Sequence, residues 1–223
     1  MKTEKAEKNP ASGLLLVLSA PTGGGKTTIA RRLAEADPTL RFSVSHTTRK
    51  PRPEEREGMD YHFVSEEDFA AMAGRGEFLE WARVHGYGYG THRSERDRAF
   101  GRGETLLLDI DVQGGLQVKK ADPSAVLVFI LPPSFEVLRE RLGRRRAEPG
   151  FDLATRLQSA LKELEFASVY DYNILNEDLG PAVDQVRRIL DVASLRPPGA
   201  LERVSRLSRD ITRWLRSQDV HRL

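Results

Sequence analysis

The sequence predicts an α/β fold built on a parallel sheet with helices on both faces. Apolar runs of strand length alternate with segments of helical periodicity along most of the chain, which is typical of βαβ units. The runs at 105–108 and 125–131 are almost continuously apolar, as expected for strands buried on both faces. A glycine-rich segment also separates the first predicted strand from the first helix.

Each predicted element has a local signal. The first strand, 14–19, is a continuous apolar run, and the first helix follows at 27–36. Ser65 and Ser134 precede helical patterns and are expected to act as N-caps, and Pro181 suits the first turn of a helix. The remaining predicted elements are strands at 42–45, 61–64, 104–109, 125–131 and 172–175, and helices at 65–73, after 134, at 154–168 and at 181–195.

The middle and the end of the chain depart from this alternation. Residues 42–92 interrupt it, which predicts an insertion with a small antiparallel or mixed sheet of its own. An Arg-Pro-Pro-Gly sequence at 196–199 is typical of a linker, and 200–216 has the pattern of a basic amphipathic helix. Seven arginines against three acidic residues give 196–223 a net charge of +4. We therefore predict a basic C-terminal helical extension.

Composition excludes several classes of protein. The 223 residues carry 35 basic and 33 acidic side chains, and the basic extension contains one aromatic residue, Trp214, so nucleic-acid binding is not favoured. The absence of cysteine excludes disulfides and thiolate metal sites. No apolar run approaches the roughly 20 residues of a membrane-spanning helix. Residues 1–12 do not resemble a secretory signal and are expected to form a disordered tail. We expect a cytoplasmic protein without a membrane or nucleic-acid partner, and the sequence does not indicate its oligomeric state.

The strongest motif lies between the first strand and the first helix. It follows the phosphate-binding pattern G-x-x-x-x-G-K-[ST], in which glycines admit phosphates to the backbone N–H groups, the lysine contacts the β/γ-phosphates and the hydroxyl contacts Mg²⁺. The first position of this pattern is alanine here, which costs little if its φ is negative. We predict an ATP-binding loop, the alternative being a glycine-rich turn without a ligand. Its residues are Ala20, Pro21, Thr22, Gly23, Gly24, Gly25, Lys26, Thr27 and Thr28.

Asp109 ends the apolar strand that follows the insertion. An aspartate at this place can orient Mg²⁺ or its waters, and it can equally cap a following helix. Together with the hydroxyl of Thr27, we expect it to hold Mg²⁺.

The insertion concentrates cationic and phenolic side chains. Arg49 and Arg52 flank a proline that stiffens the segment, so two guanidinium groups can converge on one anion. Tyr61 and Tyr89 add phenolic donors. Because guanidinium forks match the geometry of phosphate, this set predicts a site for a phosphomonoester.

Five segments of the chain resemble the hallmarks of the guanylate kinase family, in that family's order and spacing. They are S-x-T-T-R-x-P-R at 45–52, G-x-D-Y-x-F-V at 58–64, F-L-E-W-A at 78–82, Y-G-T at 89–91 and L-D-I-D-x-Q-G at 108–114. The resemblance spans about 13–195. It implies a P-loop NTPase core with a nucleotide-binding insertion and a mobile lid. The implied reaction is transfer of the γ-phosphoryl group of MgATP to GMP, with dGMP as a further acceptor.

The resemblance also implies a division of the chain. The guanylate-kinase-like domain would comprise 13–195, followed by the extension at 196–223. Its core would be 13–41, 93–139 and 157–195, its GMP-binding insertion 42–92 and its lid 140–156.

The family's GMP contacts fall on matching residues of this chain. Its phosphate contacts align with Arg49, Arg52, Tyr61 and Tyr89, and its guanine contacts with Ser45, Glu80, Thr91 and Asp111. Guanine presents an N1–H and an amino group, whereas carboxylates only accept hydrogen bonds. Adenine would leave the two carboxylates unpaired at about 1–3 kcal/mol or more each, so the pair favours guanine. Taken alone, Glu80 has the pattern of a solvated strand residue.

Two arginines of the family's lid align with Arg145 and Arg156, and two of its residues near adenine align with Arg141 and Asn176. Taken alone, this arginine cluster is typical of solvated surface or of a nucleic-acid contact. The lid departs from the family's pattern at Ala147, Pro149 and Gly150, and a shift of one residue would place Arg144 or Arg146 where Arg145 aligns.

These assignments predict in-line phosphoryl transfer by positioning and electrostatics. A phosphomonoester with a second pKa of about 6 is mostly deprotonated at neutral pH, so no general base is needed. The predicted catalytic cations are Lys26, Arg49, Arg145 and Arg156. Three other functions stay open: an inactive scaffold that binds proteins, a P-loop kinase for another nucleotide or a sugar phosphate, and a nucleic-acid binder.

Overall fold

The computed structural model describes residues 13–84, 86–144, 152–195 and 199–219. The strands in this part of the chain are β1 (Leu15–Ser19), β2 (Leu40–Phe42), β3 (Ser45–Thr47), β4 (Tyr61–Phe63), β5 (Phe78–Val84), β6 (Tyr87–His92), β7 (Thr105–Asp109), β8 (Val126–Leu131) and β9 (Tyr172–Leu175). The helices are α1 (Lys26–Ala36), α2 (Glu66–Gly74), α3 (Arg93–Gly101), α4 (Val112–Ala121), α5 (Phe135–Gly143), α6 (Leu153–Leu164), α7 (Leu179–Ala193) and α8 (Gly199–Asp219), with a 3₁₀ helix at Glu165–Val169.

The core is a five-stranded parallel sheet in the order β2-β7-β1-β8-β9. Every residue of the central strand β1 is buried, because helices cover both faces of the sheet. Leu16 and Leu18 pack with residues of α1 and α7, whereas Leu15 and Val17 pack with residues of α3 and α4. The predicted α/β fold with a helix-covered parallel sheet is confirmed.

The carboxyl ends of the parallel strands meet at one edge of the core sheet. There β1 leads into the glycine-rich loop and α1, and Asp109 at the end of β7 pairs in register with Leu18 of β1. Open α/β sheets bind ligands at this edge. The fold therefore places the phosphate-binding motif and Asp109 side by side.

The insertion forms a second sheet in the order β4-β3-β6-β5. Strand β3 pairs in parallel with β4 and antiparallel with β6, so this sheet is mixed. The strand predicted at 42–45 is wrong in its bounds, because β2 ends at Phe42 and β3 begins at Ser45. The chain crosses from one sheet to the other between them, and two strands of three residues each are too short to reveal that crossing by periodicity.

Two helices, α3 and α4, carry weak signals in the sequence. The N-cap of α3 is His92, whose ring nitrogen accepts a hydrogen bond from the Ser94 N–H, and histidine is not a preferred capping residue. Helix α4 contains two glycines, which disfavour helices. The caps predicted at Ser65 and Ser134 are confirmed, while the helix predicted at 154–168 changes to 3₁₀ geometry after Leu164.

Parts of the predicted organisation lie outside the described residues, namely the tail at 1–12 and residues 145–151 of the lid. In the C-terminal extension, α8 is a helix of 21 residues on which Val204, Leu207 and Ile211 are exposed. Among the helices of the described ranges, none combines the length and the apolar character needed to cross a bilayer.

A group of three histidines packs within the second sheet. The His46 ring lies 4.7 Å from the His62 ring and 5.8 Å from the rings of His92 and Phe78. Burial, followed by the proximity of the other two histidines, lowers the pKa of His46 to about 4, against the opposing charges of two nearby glutamates, Glu57 and Glu77. His46 is therefore neutral in the folded protein at pH 7.

Acid should destabilise the fold through His46. Its pKa is about 4 when folded and 6.5 when unfolded, so between these values the unfolded chain binds more protons and stability falls as the pH falls. We expect His46→Phe, whose ring can pack on Phe78, to lose less unfolding free energy than the native protein between pH 6.5 and 4. Urea denaturation across this range measures both dependences, and identical curves would contradict the expectation.

Candidate functional site

A cavity of about 1450 Å³ is lined by residues from both sheets. Sites for one small ligand are typically about 300–1,000 Å³, so this cavity has room for two nucleotides. Every predicted site residue within the described ranges lines it except Thr91. Thr91 is fully buried behind Glu80, and Arg145 lies outside the described residues.

The loop after β1 has the backbone geometry of a phosphate cradle. Gly23 and Gly25 have φ values of 87° and 93°, which favour glycine. The Gly24 N–H donates to the Pro21 carbonyl at 2.7 Å and closes the turn. Because α1 begins directly at Lys26, the positive end of the helix faces the loop.

Ala20, which replaces the first glycine of the pattern, fits without distortion of its neighbours. Its side chain is 4% exposed and belongs to the apolar core. A Cβ at Gly24 would lie 2.8 Å from the Ala20 methyl group. The methyl is therefore accommodated because Gly24 opposite has no side chain.

Asp109 joins the two functional side chains at the start of α1. Its Oδ1 lies 2.6 Å from Lys26 Nζ, and its Oδ2 accepts a hydrogen bond from Thr27 Oγ1 at 2.6 Å. Burial alone would lower the pKa of Lys26, but the Asp109 carboxylate outweighs it, so the pKa is raised and the lysine stays charged. The alternative that Asp109 merely caps a helix is wrong, because Asp111 caps α4.

The donor set beside the loop fits Mg²⁺. A carboxylate and a hydroxyl are hard oxygen ligands, and Mg²⁺ usually takes one or two protein ligands together with water and phosphate oxygens. Among the described residues, no group of three or more acidic or histidine side chains is placed to hold a metal. A cation here would therefore depend on the phosphates of a bound nucleotide.

The arginine predicted to bind a phosphomonoester is held in place by a carboxylate. Glu55 accepts two hydrogen bonds from the Arg49 guanidinium, at 2.8 and 3.0 Å, and one from the Arg52 backbone N–H at 2.8 Å. The hydrogen bond to Glu55 raises the pKa of Arg49. Arg49 Nε also donates to the Tyr89 hydroxyl at 3.3 Å, and its Cζ lies 5.5 Å from the Tyr61 ring. Sequence reasoning missed Glu55, because it lies in a run of charged residues at 54–57 that have no distinguishing pattern.

Two carboxylates, the buried Glu80 and the partly buried Asp111, line the same cavity. Glu80 is 4% exposed, and its Oε1 accepts a hydrogen bond from the Thr91 N–H at 2.9 Å. Burial raises the pKa of Glu80 to about 7, and the charge of Asp111 acts in the same direction. Burial also raises the pKa of Asp111, whose Oδ1 accepts from the Gly114 N–H at 2.9 Å. A Cβ at Gly114 would clash with Glu80 Oε2, so this glycine makes room for the carboxylate.

Ser45 lines this side of the cavity, and the buried Thr91 lies next to it. Their hydroxyl oxygens are 3.4 Å apart. Because Thr91 holds Glu80 through its backbone N–H and does not line the cavity, the structure places it as a support for that carboxylate.

Arg141 and Asn176 line the cavity beside the phosphate loop. Arg141 Nη1 and Asn176 Nδ2 donate to the Gly24 carbonyl at 3.2 and 3.0 Å. A Cβ at Gly25 would lie 2.5 Å from Asn176 Nδ2. Glycine is therefore required at this position both by the close contact with Asn176 and by the positive φ. Both side chains therefore support the loop through the Gly24 carbonyl.

The arginines predicted for the lid differ in whether they line the cavity and in whether they lie within the described residues. Arg156, on α6, lines the cavity. Arg144 pairs with Glu140 at the surface, where its side chain is 74% exposed, and does not line the cavity. Arg146, like Arg145, lies outside the described residues.

Two further contacts were missed by sequence reasoning. The Thr22 N–H donates to Glu163 of α6 at 2.6 Å, and Arg31 of α1 pairs with Asp60 of the insertion at 2.9 Å. Each joins segments far apart in the chain, and ordinary charged residues on a helix or in a loop give no sign of such a partner.

These features define the class of the protein. A parallel sheet whose first strand leads into a glycine cradle, with Lys26 and Asp109 at its edge, is typical of P-loop nucleotide-binding proteins. The insertion adds an arginine fork and the buried carboxylate of Glu80, and Asp111 of the core lines the same cavity.

Comparison with known proteins identifies the family. A family model described as guanylate kinase matches residues 12–193. Guanylate kinase of Gluconobacter oxydans is 45% identical over 204 residues, covering 90% of this chain and 98% of that protein. Guanylate kinase of Thermotoga maritima is 41% identical over 202 residues, covering 91% and 98%. A crystal structure of guanylate kinase from Anaplasma phagocytophilum matches with a TM-score of 0.69 at 34% identity, covering 84% of this chain and 89% of that one. The chain belongs to the guanylate kinase family, which confirms the resemblance inferred from its motifs.

Glu80 should titrate near pH 7 in the free protein, because burial raises its pKa to about 7. In Asp111→Asn the pKa of Glu80 should fall while staying above 4.5, since the neighbouring charge is a smaller cause than burial. Carboxyl ¹³C chemical shifts of labelled glutamate, followed against pH, measure both values, and Glu80→Gln identifies the resonance. A native value at 4.5 would show that the carboxylate is well hydrated.

Proposed function

We propose that this protein transfers the γ-phosphoryl group of ATP to GMP and forms ADP and GDP. The observation that carries the proposal is a pair of carboxylates, the buried Glu80 and the partly buried Asp111, in the cavity that the phosphate loop also lines. Carboxylates accept the hydrogen bonds that guanine N1–H and its amino group donate. Adenine has neither donor at these positions, so it would leave both acidic groups without partners.

On the acceptor side, the GMP phosphate binds to Arg49 and Arg52 and to the hydroxyls of Tyr61 and Tyr89. Burial raises the pKa of Tyr61, so its hydroxyl stays protonated and able to donate. Two hydrogen bonds to Glu55 restrict the Arg49 side chain to one conformation. Little conformational freedom of Arg49 is therefore lost when a phosphate binds.

On the donor side, the glycine cradle and Lys26 hold the ATP phosphates. Lys26 exchanges its present contact with Asp109 for phosphate oxygens, and Asp109 and Thr27 are then the residues that hold Mg²⁺. Held by these residues, Mg²⁺ would supply positive charge to offset that of the ATP phosphates. Arg141 and Asn176 lie on the adenine side of the loop.

The reaction needs alignment and charge stabilisation more than proton transfer. The acceptor phosphate is mostly deprotonated at neutral pH, so its oxygen attacks without a general base. Lys26, Arg156 and Arg145 stabilise the charge on the transferring group. Closure of the insertion at 42–92 and the lid at 140–156 over the core excludes water, which would otherwise compete as acceptor. The domain division, the cytoplasmic location and the use of dGMP stay predictions, as does the absence of nucleic-acid partners.

A protein-binding scaffold without activity is the second candidate function. Such a protein has no need for a charged lysine at the cradle, nor for two carboxylates whose ionised forms are disfavoured by burial. The presence of Lys26, Arg49 and Arg156 in one cavity therefore favours the enzyme.

Glu80→Gln tests the proposed reaction through its base specificity. The variant replaces one acceptor of guanine donors by an amide, so kcat/KM for GMP should fall about tenfold to a hundredfold while the value for AMP does not fall. Coupled ADP-release assays with GMP, AMP, UMP and CMP, each with and without Mg²⁺, measure this. A native protein that prefers another acceptor would refute the proposed function, and equal losses for GMP and AMP would refute the role of Glu80.

Gly114→Ala tests the space that guanine recognition requires. A methyl group at 114 meets Glu80 Oε2 and should displace the carboxylate, so the KM for GMP should rise about tenfold with little change in the KM for ATP. Gly74→Ala is the matched control, because a Cβ there has nothing within 4 Å. Similar effects of both substitutions on GMP would contradict the interpretation.

A further inference from the structure

Glu163 contacts the phosphate loop from helix α6. Its Oε2 accepts a hydrogen bond from the Thr22 N–H at 2.6 Å and another from Thr22 Oγ1 at 3.1 Å. Burial raises the pKa of Glu163, while both hydrogen bonds favour its charged form. One backbone N–H of the loop is thus engaged by a carboxylate of this chain.

The same helix carries Arg156, seven residues before Glu163. Seven residues are about two helical turns, so both side chains lie on one face, about 10 Å apart along the axis. Both line the cavity, Glu163 beside the loop and Arg156 further along the helix. A rotation or shift of α6 would therefore move Arg156 with respect to the loop.

Besides the hydrogen bonds of Glu163, helix α6 is held by apolar packing, and its last residue, Leu164, packs against the core beneath the sheet. It packs on α5 through a small apolar cluster, Leu138, Leu142 and Ala160, with Leu153 and Leu157 against it. Such a cluster restrains the separation of two helices but leaves sliding between them weakly restrained, since apolar contacts are not directional. The hydrogen bonds of Glu163 are directional and end on the loop itself.

We propose that Glu163 is a positioning residue that fixes α6 to the phosphate loop and thereby sets Arg156 over the phosphates of bound ATP. The proposal rests on the proposed role of Arg156 at the transferring group. A displacement of about 1 Å in such a group can cost a hundredfold in rate. Glu163 acts on the alignment of the transfer step, and the GMP pocket does not depend on it.

The test compares Glu163→Ala, Glu163→Gln and Glu165→Ala, each also combined with Arg156→Ala, in the full chain. Glu163→Ala should lower kcat about tenfold to a hundredfold and leave the KM for GMP within about twofold. Glu163→Gln keeps an oxygen that accepts from the Thr22 N–H, so it should restore most of kcat. Glu165→Ala removes an exposed carboxylate nearby and should match the native protein.

The Arg156→Ala background tests the positioning role of Glu163 separately from the proposed function. If Glu163 acts through Arg156, its removal should lower kcat much less in this background than in the native one. If removal of Glu163 lowers kcat by the same factor in both backgrounds, or raises the KM for ATP at constant kcat, the positioning role is overturned. Either result leaves the proposed function intact. An Arg156→Ala variant with native kcat would instead refute the role of Arg156 and, with it, this inference. Thermal unfolding midpoints close to native in all variants exclude loss of fold as the cause.

Discussion

The phosphate loop is the constraint on which the rest of this structure depends, because it is held from several sides at once. The Gly24 carbonyl accepts hydrogen bonds from Arg141 and Asn176. The Thr22 N–H donates to Glu163, and Asp109 binds the lysine that follows the last glycine. These partners come from β7, α5, α6 and the segment after β9, so the loop fixes the elements around it as much as they fix the loop. A preorganised cradle loses little conformational entropy when a nucleotide binds.

The part of the cavity that contains Glu80 and Asp111 depends on a different constraint, the free-energy cost of burying charge. Glu80 and Asp111 both have raised pKa values because burial disfavours their ionised forms. That cost is offset when a ligand donates hydrogen bonds to them, and under the proposed function guanine is the base that supplies these donors. On the phosphate-binding side the charges are already paired, since Glu55 holds the Arg49 fork. One cavity thus contains carboxylates that are stabilised by a base with hydrogen-bond donors, and an arginine whose side chain is already oriented to bind an anion.

The sequence predicted those parts of the site whose function depends on local geometry. A strand, a glycine-rich turn, a lysine and a helix start must be consecutive to form a cradle, so the motif at 20–27 was sufficient to locate it. Ser65 and Ser134 were likewise confirmed as caps because capping is an interaction within four residues. The parallel sheet was predicted because strands buried on both faces are continuously apolar.

The residues that escaped prediction act over long distances in the chain. Glu163 lies 141 positions from Thr22, and Arg31 lies 29 positions from Asp60, so no local pattern links either pair. Helix α4 was missed because its glycines oppose helix formation, although one of them, Gly114, is what lets Glu80 approach. The sequence by itself determined the α/β fold, the phosphate loop and the family, because these follow from adjacent residues and from motifs of fixed spacing. Only the tertiary structure showed that Glu55 binds Arg49 and that Glu163 binds the loop. It also showed that the Ala20 methyl group packs opposite Gly24. Each of these contacts joins surfaces that meet only when the chain is folded.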